Sequence, residues 1–135
     1  MYGYKKKTSI GFNETIEKAR EELKKEGFGV LTEIDVRETM KKKLDIDFEN
    51  YVILGACNPP FAYKALQSEQ DIGLMLPCNV IVYEKGTGNE NEGKDKGVFV
   101  SAVLPTKAMG MIDNPELIKI AKEIEEKLVK VIDSI

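Results

Sequence analysis

Three short runs constrain this chain more than any other feature: "YVILGA" at 51–56, "NVIVYE" at 79–84 and "GVFVSAVL" at 97–104. Each is β-branched, bounded by polar or turn residues, and too short to be a buried helix. Side chains of a strand alternate between faces. Here both alternating sets are apolar over part of their length, so both sheet faces need cover. Helices can cover one face. The second requires another helix, a ligand or a second subunit.

The helices that would cover the first face are also legible. In "NETIEKAREELKKEG", Ile16, Ala19 and Leu23 fall on one side at helical spacing. Asn13 reads as the N-cap, Lys24 and Lys25 complement the C-terminal end of the dipole, and Gly27 suits the C′ position. Near the C-terminus, Asn114 reads as an N-cap and Pro115 as the first helical residue. Leu117, Ile120, Ala121, Ile124, Leu128, Val131 and Ile132 then form one long stripe, read as core. Residues 4–10 read as a first strand. In "GVLTEIDV", Val30, Thr32, Ile34 and Val36 point one way and Leu31, Glu33 and Asp35 the other, a strand with one buried face. Asp35 and Glu38 form a capping box for "RETMKKKL".

The order is β-α-β-α-β-α-β-β-α. It predicts one α+β domain over residues 1–135, with helices packed on one face of a mainly antiparallel sheet. The 42% apolar share supports such a core. The polar segment "GTGNENEGKDKG" reads as a mobile hairpin tip.

Composition narrows function by exclusion. The chain has no histidine, which removes Ser-His-Asp and Cys-His pairs and the zinc helix built on two histidines. Any acid or base must be a carboxylate, lysine, tyrosine or cysteine. The net charge is −3 with both signs interspersed. The lysine triplets at 5–7 and 41–43 read as solvated faces, so neither a nucleic-acid nor a membrane partner is expected. No apolar run approaches the roughly 18 residues needed to cross a bilayer. No apolar segment follows the N-terminal lysines as in a secretory signal, so the expected location is cytoplasmic. The two cysteines are then expected as free thiols.

Those thiols mark the candidate site. Cys57 lies in "LGACNPPFAYKAL" and Cys78 in "LMLPCNVIVY", each followed by asparagine. Cys57 ends a strand just before a helix that Asn58 would cap and Pro59 would start. A thiolate there would feel the positive end of the helix dipole. Pro59 and Pro60 lack N–H groups, which weakens any anion cradle. If the two strands are antiparallel neighbours, both Cys-Asn pairs meet at one sheet edge. The preferred reading is a small-ligand-binding module. Cys57 and Cys78 contact the ligand, Asn58 and Asn79 hydrogen-bond it, and Phe61 and Tyr63 wall it. A second reading is a thiol redox or transfer enzyme, with Cys57 as nucleophile and Cys78 as resolving thiol. In a third, both cysteines are core of an assembly domain. Two thiolates cannot complete a tetrahedral zinc site. Met75, Met109 and Met111 would suit Cu(I) but read as core filler, so no metal and no cofactor is expected. Glu33 and Asp35 read as the wet face of a sheet.

"GFGVLTEIDV", "LGACNPPFAYKAL" and "IGLMLPCNVIVYE" together resemble the signature of a bacterial and archaeal family known as domain of unknown function 302. The resemblance covers most of the chain. It implies a TATA-binding-protein-like β-α-β(4)-α arrangement and a homodimer. Gly55, Cys57, Asn58, Pro59, Pro77, Cys78 and Asn79 match its pattern. It implies no catalytic residue, because the family has no settled activity. The loop from Gly86 to Gly97 is an individual feature.

Overall fold

The structure, a computed structural model, describes residues 1–86 and 96–135. The expected hairpin tip therefore lies mostly outside the described residues. Five strands, β1 (Gly3–Lys7), β2 (Gly29–Asp35), β3 (Tyr51–Cys57), β4 (Cys78–Lys85) and β5 (Gly97–Val103), form one sheet in the order β1-β5-β4-β3-β2. Every neighbouring pair is antiparallel. The helices are α1 (Phe12–Lys25), α2 (Val36–Leu44), α3 (Pro59–Ser68), the short α4 (Pro105–Ala108) and α5 (Pro115–Asp133). A 3₁₀ segment, Gln70–Met75, leads from α3 to β4. The α+β architecture read from the element order is the observed one.

Alternation sorts the strands cleanly on one side. Val52, Leu54, Ala56, Val80, Val82, Val98, Val100 and Ala102 are buried against α1 and α5. All seven residues of the terminal stripe are buried, as are Ile16, Ala19 and Leu23 of α1. Fully burying an aliphatic side chain contributes about 1.5–3 kcal/mol, so this layer supplies most of the drive to fold.

The caps explain where the helices begin and end. Asn114 Oδ1 accepts from the Leu117 amide at 3.2 Å, and Asp35 Oδ1 accepts from the Glu38 amide at 3.0 Å. Gly27 sits at φ +86°, where a side chain would be strained. The start of α1 departs from expectation. Gly11, not Asn13, is the N-cap. The Thr15 hydroxyl donates to the Gly11 carbonyl at 2.7 Å and the Thr15 amide to the same oxygen at 2.9 Å. That anchors the first turn earlier, and β1 ends at Lys7.

β2 departs further. A bulge between Val30 and Thr32 shifts its register, so Val30 lies opposite Ala56, while Thr32 and Ile34 lie opposite Gly55 and Ile53. Val30 thus shares the helix side and Thr32 and Ile34 the other side, which breaks the expected alternation. No residue of β2 is fully buried; as the edge strand it touches α1 and packs only Val30 against the core. Val36 opens α2, which also buries no residue.

Candidate functional site

The sheet face turned away from α1 and α5 is built in cross-strand rows. Tyr51, Tyr83, Phe99 and Lys7 form one. Ile34, Ile53, Ile81, Ser101 and Lys5 form the next. Thr32, Gly55 and Asn79 begin a third, nearest the cysteines. The aromatic row stacks on itself: Tyr51–Tyr83 and Tyr83–Phe99 centroids are each 5.4 Å apart, at interplanar angles of 12° and 23°. Gly55 is required in the third row. A Cβ there would meet Pro77 Cγ at 2.8 Å and collide with the Thr32 hydroxyl.

The two Cys-Asn motifs do meet at one sheet edge. Cys78 lies opposite Ala56, and Asn79 opposite Gly55. The thiols themselves differ. Cys78 shares the helix-covered side with Ala56 and is 6% exposed. Cys57, one residue past Ala56, belongs to the alternate set and is partly exposed. Both residues nonetheless line one small hollow between the motifs and the helices. Burial, with a smaller contribution from nearby Cys57, pushes the Cys78 thiol up to about 11. A thiol so protonated is a poor attacking group at neutral pH, which counts against the resolving role.

The neighbours of Cys57 do other work than expected. Asn58 occupies the N-cap position of α3, but its side chain makes no cap bond there. Its Nδ2 instead donates to the Glu26 carbonyl at 3.1 Å, tying the end of α1 to the start of α3. Gly27 leaves the room: a Cβ at that position would come within 3.2 Å of Asn58 Nδ2. Phe61 packs half-buried against the core, with Lys64 Nζ and Lys127 Nζ 5.6 and 5.9 Å from its ring centroid. Tyr63 is 65% exposed. Neither ring lines a cavity at the cysteine edge. The helical phase of α3 turns Phe61 to α5 and Tyr63 to solvent. Glu33 and Asp35 are likewise engaged, Glu33 with Arg20 and Asp35 in the α2 cap.

Two hollows meet at Cys78. Between the motifs and the helices lies a space of about 20 Å³, lined by Cys57, Asn58, Cys78 and Met109 among others. That is room for about one water. On the other side, a cavity of about 380 Å³ is lined by Met75, Cys78, Asn79, Ser101, Ala108 and Met109 with their neighbours. Its lining is mostly apolar. The site thus gathers around the second Cys-Asn motif. Of the walls supplied by α4 and the 3₁₀ segment, Met75 and Met109 read in the sequence only as soft sulfur and core filler, while Ser101 stands out as a hydroxyl within an apolar strand. Among the described residues, no group of three or more His, Cys, Asp or Glu is placed to hold a metal ion. Met111 is 82% exposed and lines neither hollow.

The family model described as "Domain of unknown function DUF302" matches residues 4–135. Among solved structures, this chain is similar to an uncharacterized conserved protein DUF302 from Bacillus stearothermophilus. The TM-score is 0.87 at 36% identity, and the match covers 99% of this chain and 98% of that one. No functionally curated protein matches.

Proposed function

We propose, from the premise that this chain belongs to the family of domain of unknown function DUF302, that it binds a small, mostly apolar ligand beside Cys78 and Asn79. The carrying observation is the cavity of about 380 Å³, walled by Met75, Ala108, Met109 and Val103 and touched by few polar groups. Ligand sites commonly have this size and this mixture of apolar walls with sparse hydrogen-bonding groups. The buried, protonated Cys78 fits a lining group and not a nucleophile.

Nile red, a neutral apolar dye, tests the reading. Saturable one-to-one fluorescence enhancement is expected, and Ala108→Phe, which fills the cavity, should weaken it at least tenfold. Circular dichroism melting confirms that the variant is folded. Absence of saturable binding, or equal binding by a folded Ala108→Phe protein, overturns the proposal.

A second copy of the chain is the partner favoured by one further observation. α2 buries no residue, and Leu31, Ile34, Leu44 and Ile46 around it are exposed. A nine-residue helix without buried contacts gains little from propensity alone. A homodimer joined along β2 and α2 would cover these side chains. Sedimentation of the wild type as a dimer, and of Ile34→Glu/Leu44→Glu as a folded monomer, is the expected result; a monomeric wild type refutes it. Among the described residues, no helix is long and apolar enough to cross a membrane.

A further inference from the structure

One hydroxyl breaks the apolar lining of the cavity beside Cys78. Ser101 lines that cavity and is only 9% exposed. Strand pairing sets it opposite Ile81, on the sheet face turned away from α1 and α5. A buried side-chain hydroxyl ordinarily has a hydrogen-bond partner, because an unpaired one loses its water without compensation. Among the described residues the Ser101 hydroxyl makes no hydrogen bond. Nor is any buried side-chain oxygen among them both sealed from solvent and unpartnered. The Ser101 oxygen therefore opens onto the sheet face that floors the cavity.

Gly3 keeps that oxygen uncovered. A Cβ at position 3 would come within 3.1 Å of Ser101 Oγ, so a larger residue on the edge strand would stand over the hydroxyl. Asn79, two positions before Ile81 on the same face of β4, adds an exposed amide to the lining. The floor thus offers hydrogen bonds at fixed places on strands, and the hydroxyl of Ser101 has both acceptor lone pairs and its proton unused.

Sulfur gathers around the same space. Met75 from the 3₁₀ segment, Met109 directly after α4, and Cys78 all line the cavity. Met109 is 2% exposed, and Met75 packs against the core, so both side chains are held at the wall. Leucine would wall an alkyl guest equally well and with better-defined rotamers. A thioether adds attraction for an aromatic ring, with the sulfur about 5 Å from the ring and often at its edge. The volume of about 380 Å³ accommodates a substituted ring.

Resting on the apolar-ligand reading, we propose that the ligand class is a phenol, its aromatic ring against Met75 and Met109 and its hydroxyl hydrogen-bonded to Ser101. The phenolic O–H donates to Ser101 Oγ, which answers the unpaired group in the floor. The substituted end of the ring points to the apolar walls.

Three compounds of matched size, 4-tert-butylphenol, tert-butylbenzene and 4-tert-butylcyclohexanol, each displacing Nile red, test the hydroxyl and the ring separately. In the wild type the phenol should bind about threefold or more tighter than the cyclohexanol. Ser101→Ala should weaken the phenol by about three- to tenfold, the contribution of one hydrogen bond, and leave tert-butylbenzene unchanged. Met75→Leu/Met109→Leu conserves the wall volume; it should weaken the phenol by about threefold and leave the cyclohexanol unchanged. Circular dichroism melting confirms that both variants are folded. A phenol affinity that Ser101→Ala does not lower, or lowers no more than that of tert-butylbenzene, overturns the hydroxyl assignment. A wild type that prefers the cyclohexanol, or equal effects of the methionine substitutions on phenol and cyclohexanol, overturns the aromatic assignment. Both results leave the apolar-ligand reading standing, as does saturable Nile red binding that none of the three displaces. Absence of Nile red binding removes both.

Discussion

Raising the pH should loosen this fold through Cys78 alone by a measurable amount. In the unfolded chain its thiol ionises near the ordinary value of 9.0; in the fold, burial holds the proton to about 11. Between those values the folded state binds more protons than the unfolded state, so stability falls as pH rises. The stability is fully present below about 9 and is lost as pH climbs through about 11. A gap of two units corresponds to roughly 3 kcal/mol, a large share of the 5–15 kcal/mol typical of a domain. Tyrosines and lysines titrate in the same range, so the comparison is with Cys78→Ala, which shares every other group. Urea unfolding of both proteins at half-unit steps from pH 8 to 11.5 gives the difference in stability. It should be flat to about pH 9 and then shift by roughly 3 kcal/mol against the wild type. Lost sulfur packing offsets the curves by a constant and does not produce the slope. Parallel curves throughout would show that Cys78 is not held protonated. The case against its attacking role would then fail.

Three other perturbations probe the frame around the site. Gly55→Ala forces a methyl against Pro77 and Thr32 and should cost about 1–3 kcal/mol, read as a lowered urea midpoint with faster amide exchange in β2 and β4; an unchanged midpoint contradicts the close packing. Asn58→Ala strands the Glu26 carbonyl and should cost about 1–3 kcal/mol, and Asn58→Asp, which cannot donate, should not rescue the melting temperature. Asn114→Ala removes the α5 cap and the Nδ2 bonds to the Ser68 carbonyl and hydroxyl. It should cost about 1–2 kcal/mol, with thermal melting as the measure.

What could be read in advance depended on how local the determinant was. The α5 stripe and the caps at Asn114, Asp35 and Gly27 depend on residues within a few positions, and each is found as read. The edge-to-edge meeting of the Cys-Asn motifs also followed from order, since antiparallel neighbours must bring the end of β3 to the start of β4. β2 misled because one bulge residue reverses the side every later residue faces. Asn58 misled because a cap position does not decide where an amide reaches, and its Nδ2 donates instead to the carbonyl of Glu26, the C-cap of α1. Phe61 and Tyr63 were placed by nearness in sequence to Cys57, while helical phase sent them elsewhere. The cavity walls in α4 were invisible because chain order does not say which way a short helix after β5 turns.

The need for cover on the second face, legible in the three apolar runs, is met unevenly by the chain itself. The aromatic row covers part of its own surface by stacking. Isoleucines continue the next row until Ser101 interrupts it, and glycines open the row beyond. A face meant wholly for a flat partner would gain nothing from that interruption, since each missing side chain forfeits buried area. Small residues at Gly3, Gly55 and Ser101 instead lower the floor where the walls of α4 and the 3₁₀ segment rise. On the small-ligand reading proposed above, the guest lies across β4, β5 and β1. The dimer surface proposed at β2 and α2 leaves that guest's place uncovered.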